Sequence, residues 1–461
     1  MSAGGVRAGA KPPGPRRAAT AAPDKSLPHL DVSDIGADAI GFAAPLITLL
    51  AIGTLRKGGF FRPDIVVLPI VAVALAASAA PARRWLRTNP VASAAVVLAT
   101  GWWLIAAIQS RHGVESWRLP ATWMCAVAGY GAARGLPPAA RRVMVLSVAV
   151  LGCAITVAGL TLVGVHADTW TWLDERSLRL AGPLTYPSAT GLFLAVALLA
   201  TIDLWPDDDS SITGRRWAPV VRTLMLVGVV ATDSRGAVLG LAVALCFPRV
   251  RRALLPAVVA AGLGAPIVLL GQRDGGRPAI IAAGALLALA IAFVPNGVLR
   301  GLGRIVAVPA IGLVGWLLLT QHHAVSGLDA SWAERGHILR GAVDVLRLHP
   351  LFGSGPDPTV AAKTLNGQPG IAYFVHNEPL EILVSIGVVG AAVLVVCAVI
   401  VLKALRLSRS QLAAPVLAMV GAAGLVDFVW HFPAFGLLCG VVLGAARHRD
   451  VAQLPPDTVV E

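Results

Sequence analysis

Apolar runs of roughly 15 to 25 residues recur along almost the whole chain, and only short polar stretches separate them. A helix needs about 20 residues to cross the hydrocarbon core of a bilayer, which is about 30 Å thick. The chain is 56% hydrophobic and 14% charged, with a mean hydropathy of +0.74. A water-soluble domain of this size could not stay dissolved with such a balance. The sequence therefore predicts an all-α, polytopic integral membrane protein.

The runs predict about fourteen transmembrane helices, with boundaries uncertain by several residues. We place them near residues 36–55, 64–80, 90–108, 119–133, 143–165, 186–204, 218–232, 236–248, 254–271, 279–295, 304–320, 378–402, 412–430 and 433–446. The expected organisation is a disordered basic cytoplasmic tail at 1–35, transmembrane helices 1 to 11 within 36–320, an extracytoplasmic loop subdomain at 321–377, transmembrane helices 12 to 14 within 378–446, and a cytoplasmic tail at 447–461. Residues 332–348 of the loop are expected to be helical, and the glycines and prolines that follow predict a turn.

The placement of basic residues indicates the orientation. With both termini in the cytoplasm, 24 of the 38 Lys and Arg residues lie on the inner side, as the positive-inside rule requires. The basic residues that give the formal charge of +13 therefore indicate the orientation of the chain in the membrane. No basic stripe or folded motif for binding nucleic acid is visible. All five cysteines lie in apolar runs, which argues against disulfides or thiolate metal sites. We expect a protein of the cytoplasmic membrane whose surroundings are membrane lipids.

Residues 218–248 form either one long tilted helix or two short helices that turn at 232–236. One helix would reverse the orientation of every later span and move more basic residues outside than inside. We therefore predict two short helices, with Arg235 recessed below the outer surface. Arg235 pairs with Asp233 or Asp427, or it binds an anion such as phosphate, because a buried guanidinium needs an anionic partner.

The outer face also carries His376, Asn377 and Glu378, where the long loop re-enters the membrane. A histidine can accept a proton near neutral pH, and a helix N-terminus offers free N–H donors. A helix cap is the alternative role for His376, and a favourable first-turn carboxylate is the alternative for Glu378. No metal-binding or nucleotide-binding spacing is present, so we expect neither a metal nor a cofactor. The other notable polar residues on this face are Arg176, Arg179, Arg335, Arg340, His337, His349, Asp427 and His431.

Four blocks together resemble the O-antigen ligase and O-antigen polymerase family of membrane glycosyltransferases. The first two are Gly-Pro-Leu-Thr-Tyr-Pro-Ser-Ala-Thr-Gly at 182–191 and Asp-Ser-Arg-Gly at 233–236. The third is Arg335 followed by His-Pro-Leu-Phe-Gly-Ser-Gly-Pro at 349–356. The fourth is His-Asn at 376–377 with Leu380, Leu383, Gly387 and Gly390. Their order, spacing and outer location make the resemblance specific over roughly residues 180–446.

This resemblance implies a GT-C-like fold and transfer of a glycan from an undecaprenyl-diphosphate carrier to a hydroxyl on a glycan or glycolipid acceptor. It implies that Arg235 and Arg335 hold the diphosphate and that His376 assists the acceptor hydroxyl. Arg340, Asn377 and Glu378 are further expected substrate contacts. The family uses neither a metal nor a nucleotide sugar.

Other functions stay open at the level of sequence. Within the class, a polymerase that joins repeat units competes with a ligase that transfers to a final acceptor. From another class, a transporter or flippase of a small anion or lipid-linked glycan would place charges near the membrane midplane, where these spans carry few. A membrane scaffold without catalytic activity is the third alternative.

Overall fold

The computed structural model describes residues 37–110, 113–165, 170–174, 177–205, 212–273, 277–294, 297–299, 327–356, 360–363, 369–372, 374–404 and 410–446. It is an all-α membrane protein with two small β-hairpins. The helices are α1 (Ala37–Leu55), α2 (Asp64–Ser78), α3 (Ala80–Thr88), α4 (Pro90–Gln109), α5 (Arg118–Arg134), α6 (Pro138–Gly164), α7 (Pro187–Leu204), α8 (Ile212–Ala231), α9 (Arg235–Leu245), α10 (Pro248–Gly271), α11 (Pro278–Ala292), α12 (Gly327–Leu348), α13 (Glu378–Ala404), α14 (Ala413–Gly424) and α15 (Pro433–Ala445). The antiparallel hairpins pair β1 (Thr171–Asp174) with β2 (Ser177–Leu180), and β3 (Val360–Lys363) with β4 (Pro369–Ala372).

Six of these helices are long and apolar enough to cross a membrane, namely α1, α4, α6, α7, α10 and α13. Five further helices are apolar but shorter, namely α2, α9, α11, α14 and α15. Most helix ends fall within a few residues of the predicted spans. The predicted span at 304–320 and both terminal tails lie outside the described residues.

Several elements differ from the sequence prediction. Helices α6 and α10 begin five or six residues earlier than expected, because Pro138 and Pro248 each start a basic first turn ahead of the apolar run. Helix α3 was not predicted, since its sequence is amphipathic and basic. The span predicted at 412–430 ends as a helix at Gly424, and residues 425–432 are not helical. The sequence analysis also missed both β-hairpins.

Helix α7 lies at the centre of the described core. Every residue from Pro187 to Asp203 is buried, so the helix has no lipid-facing side. At its C-terminal end, Arg222 of α8 is also buried and donates hydrogen bonds to the carbonyls of Trp205 and Ala253, at 2.6 Å and 2.9 Å. Arg222 therefore satisfies the carbonyl of Trp205, just past the end of α7, and joins it to a carbonyl within α10.

Helices α5 and α15 form the closest described helix pair. Gly436, Gly440 and Gly444 recur at every fourth position of α15 and face the α5 backbone. A methyl group added at Gly440 would collide with the carbonyl of Ala126. This spacing of small residues lets two helix backbones approach, as it does in membrane helix dimers.

Helices α9 and α14 form a second close pair, and both are short. They contain 11 and 12 residues, or about 16 and 18 Å at 1.5 Å per residue. Gly236 of α9 lies against Ala423 and Asp427, whereas Gly240 lies against Met419, so the two helices run antiparallel. The N-terminus of α9 therefore meets the C-terminus of α14.

Helix α13 contains a break into which the turn at 349–356 inserts. Gly387 has φ 67° and ψ −179°, which interrupts the helical hydrogen bonds. The amides of Ser354 and Gly355 donate to the carbonyls of Val384 and Ser385, at 2.8 Å and 3.0 Å. The amides of Val388 and Val389 donate to the carbonyls of Pro350 and Leu351, at 2.9 Å and 3.1 Å. The third and fourth sequence blocks, at 349–356 and 376–390, are thus joined by backbone hydrogen bonds.

Candidate active site

The non-helical segment 425–432, between α14 and α15, is the point where the predicted site residues converge. It follows the C-terminus of α14 and lies beside the N-termini of α9 and α13. Asp427 and His431 of this segment are buried, and so are Glu378 and Glu381 in the first turns of α13. Ionisable groups buried in a membrane protein are costly and mark functional sites by default.

The His376 side chain faces Asp427, which belongs to this segment. Its Nδ1 lies 3.9 Å from Asp427 Oδ1 and makes no hydrogen bond to any described residue. The His376 side chain is 27% exposed and that of Asp427 is 5% exposed, so the imidazole is accessible while its acidic neighbour is not. Because the carboxylate faces Nδ1, it favours the tautomer that is protonated there, in which Nε2 carries the free lone pair. The separation is longer than a hydrogen bond, as is common in active sites without substrate.

The carboxylate of Asp427 is fixed by two donors. The Tyr186 hydroxyl donates to Asp427 Oδ1 at 2.7 Å, and the Phe428 amide donates to the same oxygen at 2.9 Å. The Tyr186 ring stacks on Phe428 at 4.7 Å, and the His376 ring meets the edge of Phe428 at 4.8 Å. Packing and hydrogen bonding therefore both hold Asp427 in place.

Arg235 is the first residue of α9, directly after the turn at 232–234. Ser234 caps the helix, since its Oγ accepts from the Ala237 amide at 3.1 Å. A methyl group added at Gly236 would lie 3.6 Å from Asp427 Oδ2, so the start of α9 is next to the acidic group. Arg235 is half-buried there, at a helix N-terminus that favours anions. The predicted interruption between two helices is confirmed at these residues.

Arg179 holds that turn in place from the β1–β2 hairpin. Its Nε donates to the Thr232 carbonyl at 3.1 Å, and its Nη2 donates to the Asp233 carbonyl at 2.7 Å. Both carbonyls belong to the turn that follows α8, outside the helical hydrogen bonds. Arg179 thus supports the position of Arg235 through the backbone.

Arg335 and Arg340 both lie on α12 but in different surroundings. Arg335 is half-buried, and its Nη1 donates to the Val426 carbonyl at 3.4 Å, one residue from Asp427. Arg340 is exposed. Five residues apart on a helix, the two side chains project about 140° from each other. The structure therefore brings Arg335 to the site and leaves Arg340 on the surface of α12.

Asn377 and Glu378 fasten the start of α13 to the 425–432 segment. Asn377 Oδ1 accepts from the Leu380 amide and its Nδ2 donates to the Leu425 carbonyl, both at 2.9 Å. Glu378 Oε1 accepts from the Trp430 amide at 2.7 Å. Asn377 thus fills the helix-capping role considered for its neighbour His376. Substrate contacts by Asn377 and Glu378 stay predictions.

A second buried acid–histidine pair lies behind the first. Glu381 Oε1 is 3.6 Å from His431 Nε2, and both side chains are completely buried. Glu381 Oε2 accepts from the Val375 amide at 2.7 Å, which anchors the residue before His376. Because neither side chain reaches the surface, the pair supports the loop that carries His376.

The backbone around this site is conformationally unusual. Among the described residues, the non-glycine residues with positive φ are Lys57, Thr185, Asp233 and His376. Thr185 precedes Tyr186, Asp233 lies two residues before Arg235, and His376 is itself the candidate base. Left-handed conformations of such residues cost energy and cluster at functional sites, which supports this location.

The structure places the sequence-predicted residues Arg235, Arg335 and His376 near one another, but the sequence analysis had not selected Asp427 or Tyr186 as site residues. Asp427 was visible as an outer-face acid at the end of an apolar run, and Tyr186 belongs to the first family-like block. Neither signal shows that their side chains meet, since they come from distant parts of the chain. Among the described residues, no group of three or more His, Cys, Asp or Glu side chains is arranged to hold a metal ion.

Comparison with known families places the chain in a class. Residues 221–395 match the protein-family model described as O-antigen ligase. This region therefore resembles an O-antigen ligase domain, which agrees with the resemblance of the four sequence blocks to O-antigen ligases and polymerases. The match supports an O-antigen ligase-like or polymerase-like function in polysaccharide biosynthesis. A comparison with curated proteins found no significant match. The matched region contains Arg235, Arg335, Asn377, Glu378 and His376.

Proposed function

We propose that this protein transfers a glycan from an undecaprenyl-diphosphate-linked donor to a hydroxyl acceptor at the outer face of the cytoplasmic membrane. The observation that supports this most directly is the convergence of Arg235, Arg335 and His376 on the 425–432 segment around Asp427. Cationic groups beside an accessible imidazole suit a reaction in which a diphosphate leaves and a hydroxyl loses its proton.

The proposed reaction is a displacement at the anomeric carbon. The acceptor oxygen forms a bond to this carbon as the bond from the carbon to the diphosphate oxygen breaks. The leaving diphosphate keeps the electron pair, and the acceptor proton moves to His376 Nε2, from which it returns to the diphosphate or to water. Asp427 stabilises the imidazolium that forms in between.

The arginines stabilise the charge that grows on the leaving group. A guanidinium is planar and can hold two phosphate oxygens at once. Arg235 is held at a helix N-terminus and Arg335 is tied to the Val426 carbonyl, so neither requires large rearrangement as charge develops. Arg340, which is exposed, would act farther out, on the glycan or the lipid headgroups.

We further propose a GT-C-like protein with about fourteen spans, both termini in the cytoplasm and residues 321–377 outside, as the distribution of basic residues favours. The shortness of α9 and α14 supports a recessed Arg235, since neither helix alone spans a hydrocarbon core of about 30 Å. Single cysteines at Ser326 or Gln368 should react with an impermeant thiol reagent in whole cells. Reaction only after lysis would overturn this topology.

The decisive test of the mechanism is transfer in purified proteoliposomes that contain a lipid-diphosphate-linked glycan and an acceptor. His376→Asn should lower turnover by roughly 10² to 10⁴, because Asn cannot accept a proton at neutral pH. The matched control is His349→Asn, since His349 is exposed in the turn after α12 and should tolerate the change. Donor binding and thermal stability are measured on the same samples. Near wild-type transfer by His376→Asn would refute the assignment.

The same vesicles separate the proposed enzyme from a transporter, because a transporter would move the donor without breaking its glycan–diphosphate bond. A deletion strain separates ligase from polymerase. Single repeat units that accumulate on the carrier indicate a polymerase, whereas full-length unligated chains indicate a ligase.

A further inference from the structure

We propose that Tyr186 is a positioning residue for the transfer reaction, whose hydroxyl holds the Asp427 carboxylate so that Asp427 orients His376 without binding its proton tightly. This inference rests on the function proposed above. It concerns how the base is oriented and not which group is the base.

The geometry makes Tyr186 and His376 competitors for one oxygen atom. Asp427 Oδ1 accepts from the Tyr186 hydroxyl at 2.7 Å and from the Phe428 amide at 2.9 Å. It is also the oxygen that lies 3.9 Å from His376 Nδ1. With two donors already in place, Oδ1 has little remaining capacity to accept a short hydrogen bond from the imidazole.

The location of Tyr186 fits this role. It follows Thr185, a left-handed residue with φ 58°, and precedes Pro187, the first residue of the fully buried helix α7. Its ring stacks on Phe428 at 4.7 Å, the residue whose amide is the other donor. The hydroxyl is therefore fixed by a rigid helix on one side and by the 425–432 segment on the other.

Electrostatics gives the direction in which loss of the Tyr186 hydroxyl would change the interaction between Asp427 and His376. A carboxylate with two hydrogen bonds has part of its charge neutralised, so it stabilises a neighbouring imidazolium less. Removing the Tyr186 hydroxyl would free Oδ1 to accept a hydrogen bond from His376 Nδ1–H and would thereby stabilise the imidazolium. Other charged or titratable groups near this site come from several elements and would be unchanged: Arg179, Arg235, Arg335, Glu378, Glu381 and His431.

The test is the pH profile of transfer in proteoliposomes. A base must be unprotonated to work, so activity falls on the acidic side as His376 gains its proton. Tyr186→Phe should move this acidic limb to higher pH by about half a unit or more. Tyr130→Phe is the matched control, since Tyr130 lies in α5 beside Gly440 and Gly444, and its profile should be unchanged. In an Asp427→Asn background, adding Tyr186→Phe should cause no further shift.

A second measurement applies if Tyr186→Phe does not fold. The chain has three tyrosines, so fluorotyrosine incorporated into a Tyr130→Phe/Tyr373→Phe variant occupies position 186 alone. Its more acidic hydroxyl donates more strongly, so the acidic limb should move to lower pH.

Failure of the inference about Tyr186 and failure of the proposed function would give different results. An unshifted profile in both experiments, or a loss of rate that is equal at every pH, would overturn the role of Tyr186 while His376→Asn still abolished transfer. If His376→Asn instead kept full transfer, the proposed function and this inference would both fall.

Discussion

The α5–α15 pair and the α9–α14 pair both bring helix backbones together through glycine, yet in the second pair one of these glycines, Gly236, lies against the buried Asp427. Gly436, Gly440 and Gly444 place α15 against α5 along its whole length. In the α9–α14 pair, Gly236 and Gly240 do the same, but α9 begins and α14 ends at the level of Asp427. Close packing therefore acts as a structural scaffold in the α5–α15 pair, whereas in the α9–α14 pair it also places helix ends next to buried polar groups.

The difference shows why short helices matter in a membrane protein. Backbone without regular helical hydrogen bonds is tolerated at membrane depth only where protein or a polar cavity surrounds it. The 425–432 segment meets this condition, since hydrogen bonds from Tyr186, Asn377 and Arg335 and to Glu378 satisfy its polar groups. Substitutions in the two pairs should accordingly affect different measurements.

The largest effect is expected at the polar end of the α9–α14 pair. Asp427→Asn should lower transfer by roughly 10² to 10⁴, because the amide no longer fixes the His376 tautomer or stabilises its imidazolium. Thermal stability should change little, since Asn can still accept from Tyr186. Turnover and thermal unfolding, measured on one preparation, check this. If turnover and thermal stability fell together, Asp427 would be a structural residue, and the two helix pairs would not differ in role.

The next effect concerns the guanidinium at the start of α9. Arg235→Lys keeps the charge but loses the forked geometry, so transfer should fall by about 10²-fold or more. Arg273→Lys is the control, as Arg273 lies at the end of α10 beside the β1–β2 hairpin. The measurement is the rate of transfer together with donor affinity. Small and equal effects at both positions would return Arg235 to the status of an ordinary loop charge.

The smallest effect is expected in the scaffold pair and should appear in stability alone. Gly440→Ala should destabilise the protein by about 1 to 3 kcal/mol, because the methyl group meets the Ala126 carbonyl. Gly421→Ala should instead stabilise it by about 0.5 to 1 kcal/mol, since no described atom lies within 4 Å of the added methyl. Thermal unfolding in detergent measures both. Unchanged specific activity of the folded fraction is expected, and a selective loss of turnover would contradict the scaffold role.

Much of the fold could be predicted from sequence because hydropathy reports directly which residues lie in lipid. Helix α1, expected at 36–55, spans Ala37–Leu55, and α13, expected at 378–402, spans Glu378–Ala404. Hydropathy cannot report a break within an apolar run. The interruption at Gly387 and the early end of α14 at Gly424 both depend on hydrogen bonds from distant segments.

In the candidate site, too, local sequence patterns could be recognised, whereas contacts between distant parts of the chain could not. Arg235, Arg335 and His376 could be selected as candidates from sequence because unusual residue types stand in recognisable local patterns. The partnership of Asp427 with Tyr186 was not found, because it joins the start of α7 to the end of α14 through a single hydrogen bond. Arg340 shows the converse, since a plausible residue type near Arg335 lies on another face of α12.

The insertion of the 349–356 turn into the break of α13 has a mechanical consequence. Its hydrogen bonds tie the end of α12, which carries Arg335, to the stretch of α13 that begins two residues after His376. A displacement of α12 would therefore carry the first half of α13 with it, so the Arg335 guanidinium and the His376 imidazole would move together.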